Sequence, residues 1–233
     1  MIIRFTDNMT QSLIDALKPS LQEATEMRFG VAFAKYSGFS LLEEDINRCL
    51  EEGGKVEFVL GLDFRITEPK VLRILHRIKK KTSNLGLFCF SDPLTGDTPV
   101  YHPKIYIVSN PSKVLISVGS SNLTRGGLKD NVEVNVIIES AVDEEIVSDI
   151  YGLYSGFKFQ NDKFEPDLDY IEIYEETYEN IRKREASKER LVRDKIERLK
   201  EREKILPKPV PTSTDLYGWQ ALVYERLPER VFT

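Results

Sequence analysis

The sequence predicts an α/β fold, a mixed β-sheet flanked by helices, with a C-terminal helical extension. Three observations predict it. Up to about residue 90, short runs of β-branched and aromatic residues alternate with amphipathic stretches of helix length, the pattern of βαβ units. Residues 101–138 then hold three strand-like runs joined only by turns, which adds antiparallel partners to the same sheet. From Val142 onward the periodicity is helical and the chain becomes densely charged.

In order, Ile2–Phe5 reads as a short opening strand, and Asn8 or Thr10 as the cap of a helix reaching about Thr25. Leu13, Ile14, Leu17 and Leu21 would form its buried stripe. Met27–Ala34 is a continuous run of small apolar residues, suited to a central strand covered on both faces. Ser37-Gly38 turns the chain into a helix over about 39–52, ended by Gly53-Gly54. Val56–Gly61 is a buried strand, Pro69 opens a third helix from its first turn, and Leu85–Phe90 is a further strand. Strands follow at about 101–108, 113–119 and 132–138, then a helix over about 142–159 and a long one over about 167–204. Pro207 to Thr214 reads as an extended linker. The expected organisation is a catalytic domain over 1–140, a helical extension over 141–205 packed on it or forming a dimer arm, and a proline-rich linker and tail over 206–233.

The chain of 233 residues is long enough to bury a good core, and 41% apolar with 30% charged residues is the balance of a charge-rich soluble protein. Its net charge of −5 is unevenly spread. Residues 1–138 carry 17 Lys and Arg against 16 Asp and Glu, residues 139–180 carry 2 against 13, and residues 181–204 carry 11 against 6. Phosphate affinity follows the local field, so an acidic total does not exclude a nucleic-acid partner. Cys49 and Cys89 lie in apolar runs without metal-ligand spacing and read as buried free thiols. No signal-peptide pattern opens the chain and no apolar run approaches the ~20 residues that span a bilayer, so a cytoplasmic protein with no membrane partner is expected.

The chemistry concentrates in two stretches. In Tyr101-His102-Pro103-Lys104-Ile105-Tyr106, read as a strand, alternation puts His102, Lys104 and Tyr106 on one face and Pro103 and Ile105 on the other. An imidazole and an ammonium then lean out side by side. The second stretch, Gly119-Ser120-Ser121-Asn122, ends an apolar run in small residues with short, stiff donors, where glycine admits a close backbone approach. A His, a Lys, a Ser and an Asn converging from two strand ends would clamp a phosphate with a nucleophile beside it. Neutral imidazole is nucleophilic near pH 7, and the ammonium neutralises charge on the phosphoryl oxygens. Nothing in the chain shows metal-ligand spacing, and Lys104 supplies the charge a metal would, so no metal and no other cofactor is expected.

His-x-Lys followed by Gly-Ser-x-Asn resembles the HKD signature of the phospholipase D superfamily. The longer run Gly119-Ser-Ser-Asn-Leu-Thr-Arg-Gly-Gly-Leu128, with Asn131-Val132-Glu133 after it, is most similar to the nuclease branch, which includes metal-independent restriction endonucleases of the BfiI and NgoFVII type. The pattern often has an Asp where this chain has Ser109, and the interval from Lys104 to Gly119 is three residues longer than usual. The resemblance implies a phospholipase D-like sheet and catalytic roles for His102, Lys104, Ser120, Asn122 and Glu133, the last as acceptor of a hydrogen bond from His102. It also implies a pair of motifs, one histidine forming a phosphohistidine and the other protonating the leaving group. The other histidine here, His76, has neither Lys nor Gly-Ser-x-Asn in register, so a homodimer sharing one composite site is expected.

Arg125 and Lys129 directly follow the Asn122 loop and are the expected contacts to neighbouring phosphates of DNA, single- or double-stranded. The activity implied is metal-independent DNA cleavage in a restriction or phage-defence setting, with sequence specificity or a helicase in a separate subunit. The alternatives are a catalytically silent nucleic-acid-binding module of a larger complex and a lipid phosphodiesterase.

Overall fold

A computed structural model of the chain describes residues 1–94, 99–160 and 163–205. Among these, seven strands form one sheet in the order β1-β7-β6-β5-β2-β3-β4. The strands are β1 (Ile2–Thr6), β2 (Glu26–Val31), β3 (Lys55–Gly61), β4 (Leu85–Phe90), β5 (Lys104–Ser109), β6 (Lys113–Gly119) and β7 (Asn135–Ala141). β2, β3 and β4 run parallel, while β5, β6, β7 and β1 alternate antiparallel from β2 outward. The helices are α1 (Leu13–Gln22), α2 (Tyr36–Phe39), α3 (Glu43–Glu51), α4 (Pro69–Lys79), α5 (Glu145–Lys158) and α6 (Leu168–Ile205). Mixed sheet and flanking helices are as the sequence predicts.

Two apolar layers hold the sheet. On one face, Leu13, Leu17 and Leu21 of α1, Ile46 of α3, Leu72 and Leu75 of α4, and Ile171 and Tyr174 of α6 pack against Phe29, Phe58, Leu87 and Tyr106. On the other face, Val147, Ile150 and Tyr154 of α5 cover Ile105, Ile107, Val114 and Ile116. Both faces of β5 are therefore buried, and burying each large apolar side chain contributes about 1.5–3 kcal/mol. The chain divides into two compact units after Ile181. The first unit holds the sheet and its helices; in the second, the described residues continue α6 as an exposed, charged helix. The expected linker and tail over 206–233, and part of the Asp92–Asp97 loop, lie outside the described residues. Among the described residues no helix is long and apolar enough to cross a membrane.

At the ends of elements the structure differs from the sequence pattern. Ser12 caps α1, accepting from Asp15 N at 3.2 Å, and Asn8 contributes from outside by accepting from Leu13 N at 2.8 Å. The helix expected over 39–52 is two helices, α2 and α3. The strand expected from Tyr101 starts at Lys104, because Pro103 has no N–H to give the ladder.

Candidate active site

The site lies at one end of the sheet, where β5 begins and β6 ends. Lys104, the first residue of β5, pairs with Val31 of β2, and Gly119, the last of β6, pairs with Asn135 of β7. Residues just before β5, after β6 and before β7 therefore meet at that end, bringing together side chains up to 31 positions apart in sequence, from His102 to Glu133. A Cβ on Gly119 would be driven into the Val134 carbonyl and the Asn135 side chain, so only glycine allows the strands to close there.

His102 is exposed and stands just ahead of the strand, not on it. Lys104 is buried, 7% exposed, and folds its side chain back: Nζ stands 2.5 Å from His102 Nδ1 and 3.1 Å from Nε2, and donates to the His102 carbonyl at 3.0 Å. Burial pushes the Lys104 pKa below the ordinary lysine value, and the negative charge of Glu133 partly opposes this. Lys104 and Tyr106 do share a face, as alternation requires, but that face is core: Tyr106 is 1% exposed and donates to the Ser121 carbonyl at 3.0 Å. That bond ties β5 to the loop carrying Ser120 and Asn122.

Glu133 departs from expectation twice. It precedes β7, and its carboxylate accepts from the Ser120 hydroxyl, with no bond to His102 among the described residues. The Ser120 hydroxyl in turn accepts from Val134 N at 3.0 Å. Asn122 uses its carbonyl oxygen to accept from Phe33 N at 3.2 Å, which leaves its Nδ2 as the donor for a ligand. Arg125 is not turned to the site: its Nε is paired with Asp130 at 2.9 Å. Lys129 is exposed on the short π-helical turn Gly126–Asp130. His76 sits in the last turn of α4, at the opposite end of the sheet, because α4 runs from the end of β3 back to the start of β4.

Asn135 was missed. Only 1% exposed, it donates from Nδ2 to Ser121 Oγ at 2.9 Å and Thr6 Oγ1 at 3.3 Å, and its Oδ1 accepts from Ser121 N at 3.3 Å. A lone polar residue opening an apolar strand was the available signal. Among the described residues no three His, Cys, Asp or Glu side chains gather as metal ligands.

The family model described as "Cardiolipin synthase, PLD-like domain" matches residues 21–151. A search of curated proteins found no match. Among solved structures the chain is similar to Nuc from Salmonella typhimurium, a phospholipase D family member, at TM-score 0.53 and 16% identity, covering 71% of this chain and 99% of that one. It is similar to NucT from Helicobacter pylori at TM-score 0.52 and 13% identity, covering 67% and 95%. Phosphatidylserine synthase from Haemophilus influenzae matches at TM-score 0.54 and 16% identity, covering 80% of this chain and 46% of that one. At these identities the likeness is one of fold.

Proposed function

The chain belongs to the phospholipase D-like family, and on that premise we propose that it is a metal-independent phosphodiesterase that cleaves DNA through a phosphohistidine intermediate. The observation that carries the proposal is the contact of the His102 ring with the Lys104 ammonium at the same sheet end as Ser120 and Asn122. An imidazole nitrogen of His102 attacks phosphorus, the bond to the leaving oxygen breaks, and a second imidazole gives that oxygen its proton. The second imidazole, now a base, takes a proton from water, which attacks phosphorus and releases His102. Lys104 and the Asn122 amide donate to the non-bridging oxygens, where charge concentrates in the transition state.

His76 is too remote to be the second imidazole, so we assign that role to His102 of another copy, in a homodimer with one composite site. A surface for self-association borders Ser120. Phe5, Val136 and Val118 lie opposite one another on one sheet face, and Phe5 and Val118 are 69% and 40% exposed. The likeness of Gly119–Leu128 to restriction-type nucleases favours a restriction or phage-defence role, with sequence choice made by another subunit.

The test is cleavage of plasmid and single-stranded DNA in excess EDTA by the wild-type chain and His102→Ala. Full wild-type activity with EDTA and none in the variant is expected. An absolute requirement for a divalent ion, or unchanged cleavage by His102→Ala, overturns the reading.

A further inference from the structure

We propose that the cleft between residues 33–38 and 122–126 is a subsite for the DNA phosphate next to the one cleaved, with Lys35 as its cation. This rests on the reading of the chain as a DNA phosphodiesterase. The chain leaving β2 runs beside the loop leaving β6. Ala34 bridges Leu123 in parallel, Lys35 N donates to the Leu123 carbonyl at 2.8 Å, and Arg125 N donates to Ser37 Oγ at 3.4 Å. A Cβ on Gly38 would be driven into the Leu123–Thr124 backbone, so the two segments meet as closely as glycine permits.

Between them lies a cavity of about 310 Å³ to which Lys35, Ser37, Thr124 and Asn131 contribute. Asn122 and Glu133 line it too, so it shares two residues with the candidate catalytic group. Lys35 is half-buried, and among the described residues its ammonium has no carboxylate partner. At the following residue, Lys70 Nζ sits 3.2 Å from the centre of the Tyr36 ring and the Glu68 carboxylate accepts from Tyr36 N at 2.7 Å, two opposite charges that leave Lys35 as the cation lining the cavity. The carboxylate on the facing wall, Glu133, is held by the Ser120 hydroxyl. An unpaired ammonium with hydroxyl and amide donors around it, one step from a site built for a phosphodiester, suits a second phosphate of the same strand. Arg125, which sequence proximity favours for this task, is instead paired with Asp130.

The test uses two chromogenic nucleotides, each with a single scissile diester. They are thymidine 3′-(4-nitrophenyl phosphate), with or without a 5′-phosphate, and thymidine 5′-(4-nitrophenyl phosphate), with or without a 3′-phosphate. For one of the two, the extra phosphate lowers KM of the wild-type chain by roughly tenfold, and in Lys35→Ala that gain disappears. Lys35→Arg keeps most of it, since guanidinium also holds phosphate. The inference is overturned if neither extra phosphate helps the wild type, or if Lys35→Ala keeps the whole gain. Failure of the wild type to release nitrophenol from any of the four is told apart from both, and removes the activity and the subsite together.

Discussion

Lys104 turns its ammonium back onto the residue two places before it, standing 2.5 Å from His102 Nδ1 and donating to the His102 carbonyl at 3.0 Å. A strand that began two residues earlier would have turned the His102 ring onto the same buried face as Lys104 and Tyr106. Pro103 ends the ladder, frees His102 to swing, and leaves Lys104 buried with the imidazole as its neighbour.

Holding a charged amine in that place costs stability. Lys104→Met, of similar length, should stabilise the fold by about 1 kcal/mol, or about 2–4 °C in Tm, while removing activity. The folded pKa of Lys104 is depressed, so the native state bears the full penalty below that pKa and loses it as pH rises toward the ordinary 10.5. The Tm gap between variant and wild type should thus be widest near neutrality and close at alkaline pH. A variant less stable than wild type at pH 7 contradicts the burial argument.

Glu133 acts on the site through Ser120 and through its charge. Glu133→Gln keeps a hydrogen-bond acceptor for Ser120 but withdraws the charge that holds the Lys104 pKa up. Activity should fall by about 10–100-fold. The alkaline limb of the pH–rate profile, where Lys104 loses its proton, should move to lower pH. A limb that stays in place would separate Glu133 from Lys104 electrostatically.

Asn135 is buried with three hydrogen bonds that pin Ser121 and Thr6, so Asn135→Ala should cost about 2 kcal/mol in denaturant unfolding. Gly127→Ala tests the same loop from the other side. Its Cβ would be driven into the Asn122 backbone, so kcat should drop at least tenfold while the Tm falls by only a few degrees.

The mixed sheet was legible because its strands are apolar and its helices amphipathic at lengths that exclude one another. The ends of the strands were not. Val132-Glu133-Val134 alternates like a strand, yet Val132 and Val134 are 75% and 62% exposed and the ladder starts only at Asn135. Strand propensity describes a residue that fits a pleat, and a β-branched residue fits a connecting segment nearly as well. The groups at His102, Lys104, Ser120 and Asn122 stood out by type and spacing. Their partners did not, because Glu133 with Ser120 and Arg125 with Asp130 are choices made by side chains after the backbone is set.

Self-association is tested at Phe5, which is 69% exposed on the sheet face it shares with Val136 and Val118, and whose side chain makes none of the hydrogen bonds of the site. Phe5→Glu should convert a dimer into a monomer by light scattering and abolish cleavage with no loss of helix content. A wild-type chain that is monomeric and active removes the composite site.

The central claim is that DNA is first transferred to an imidazole and then to water. Cleavage of a phosphorothioate diester of known configuration in isotopically labelled water reports this through the configuration at phosphorus. Two in-line displacements, one by His102 and one by water, give net retention. Net inversion would mean that water attacks directly and that His102 never carries the phosphoryl group.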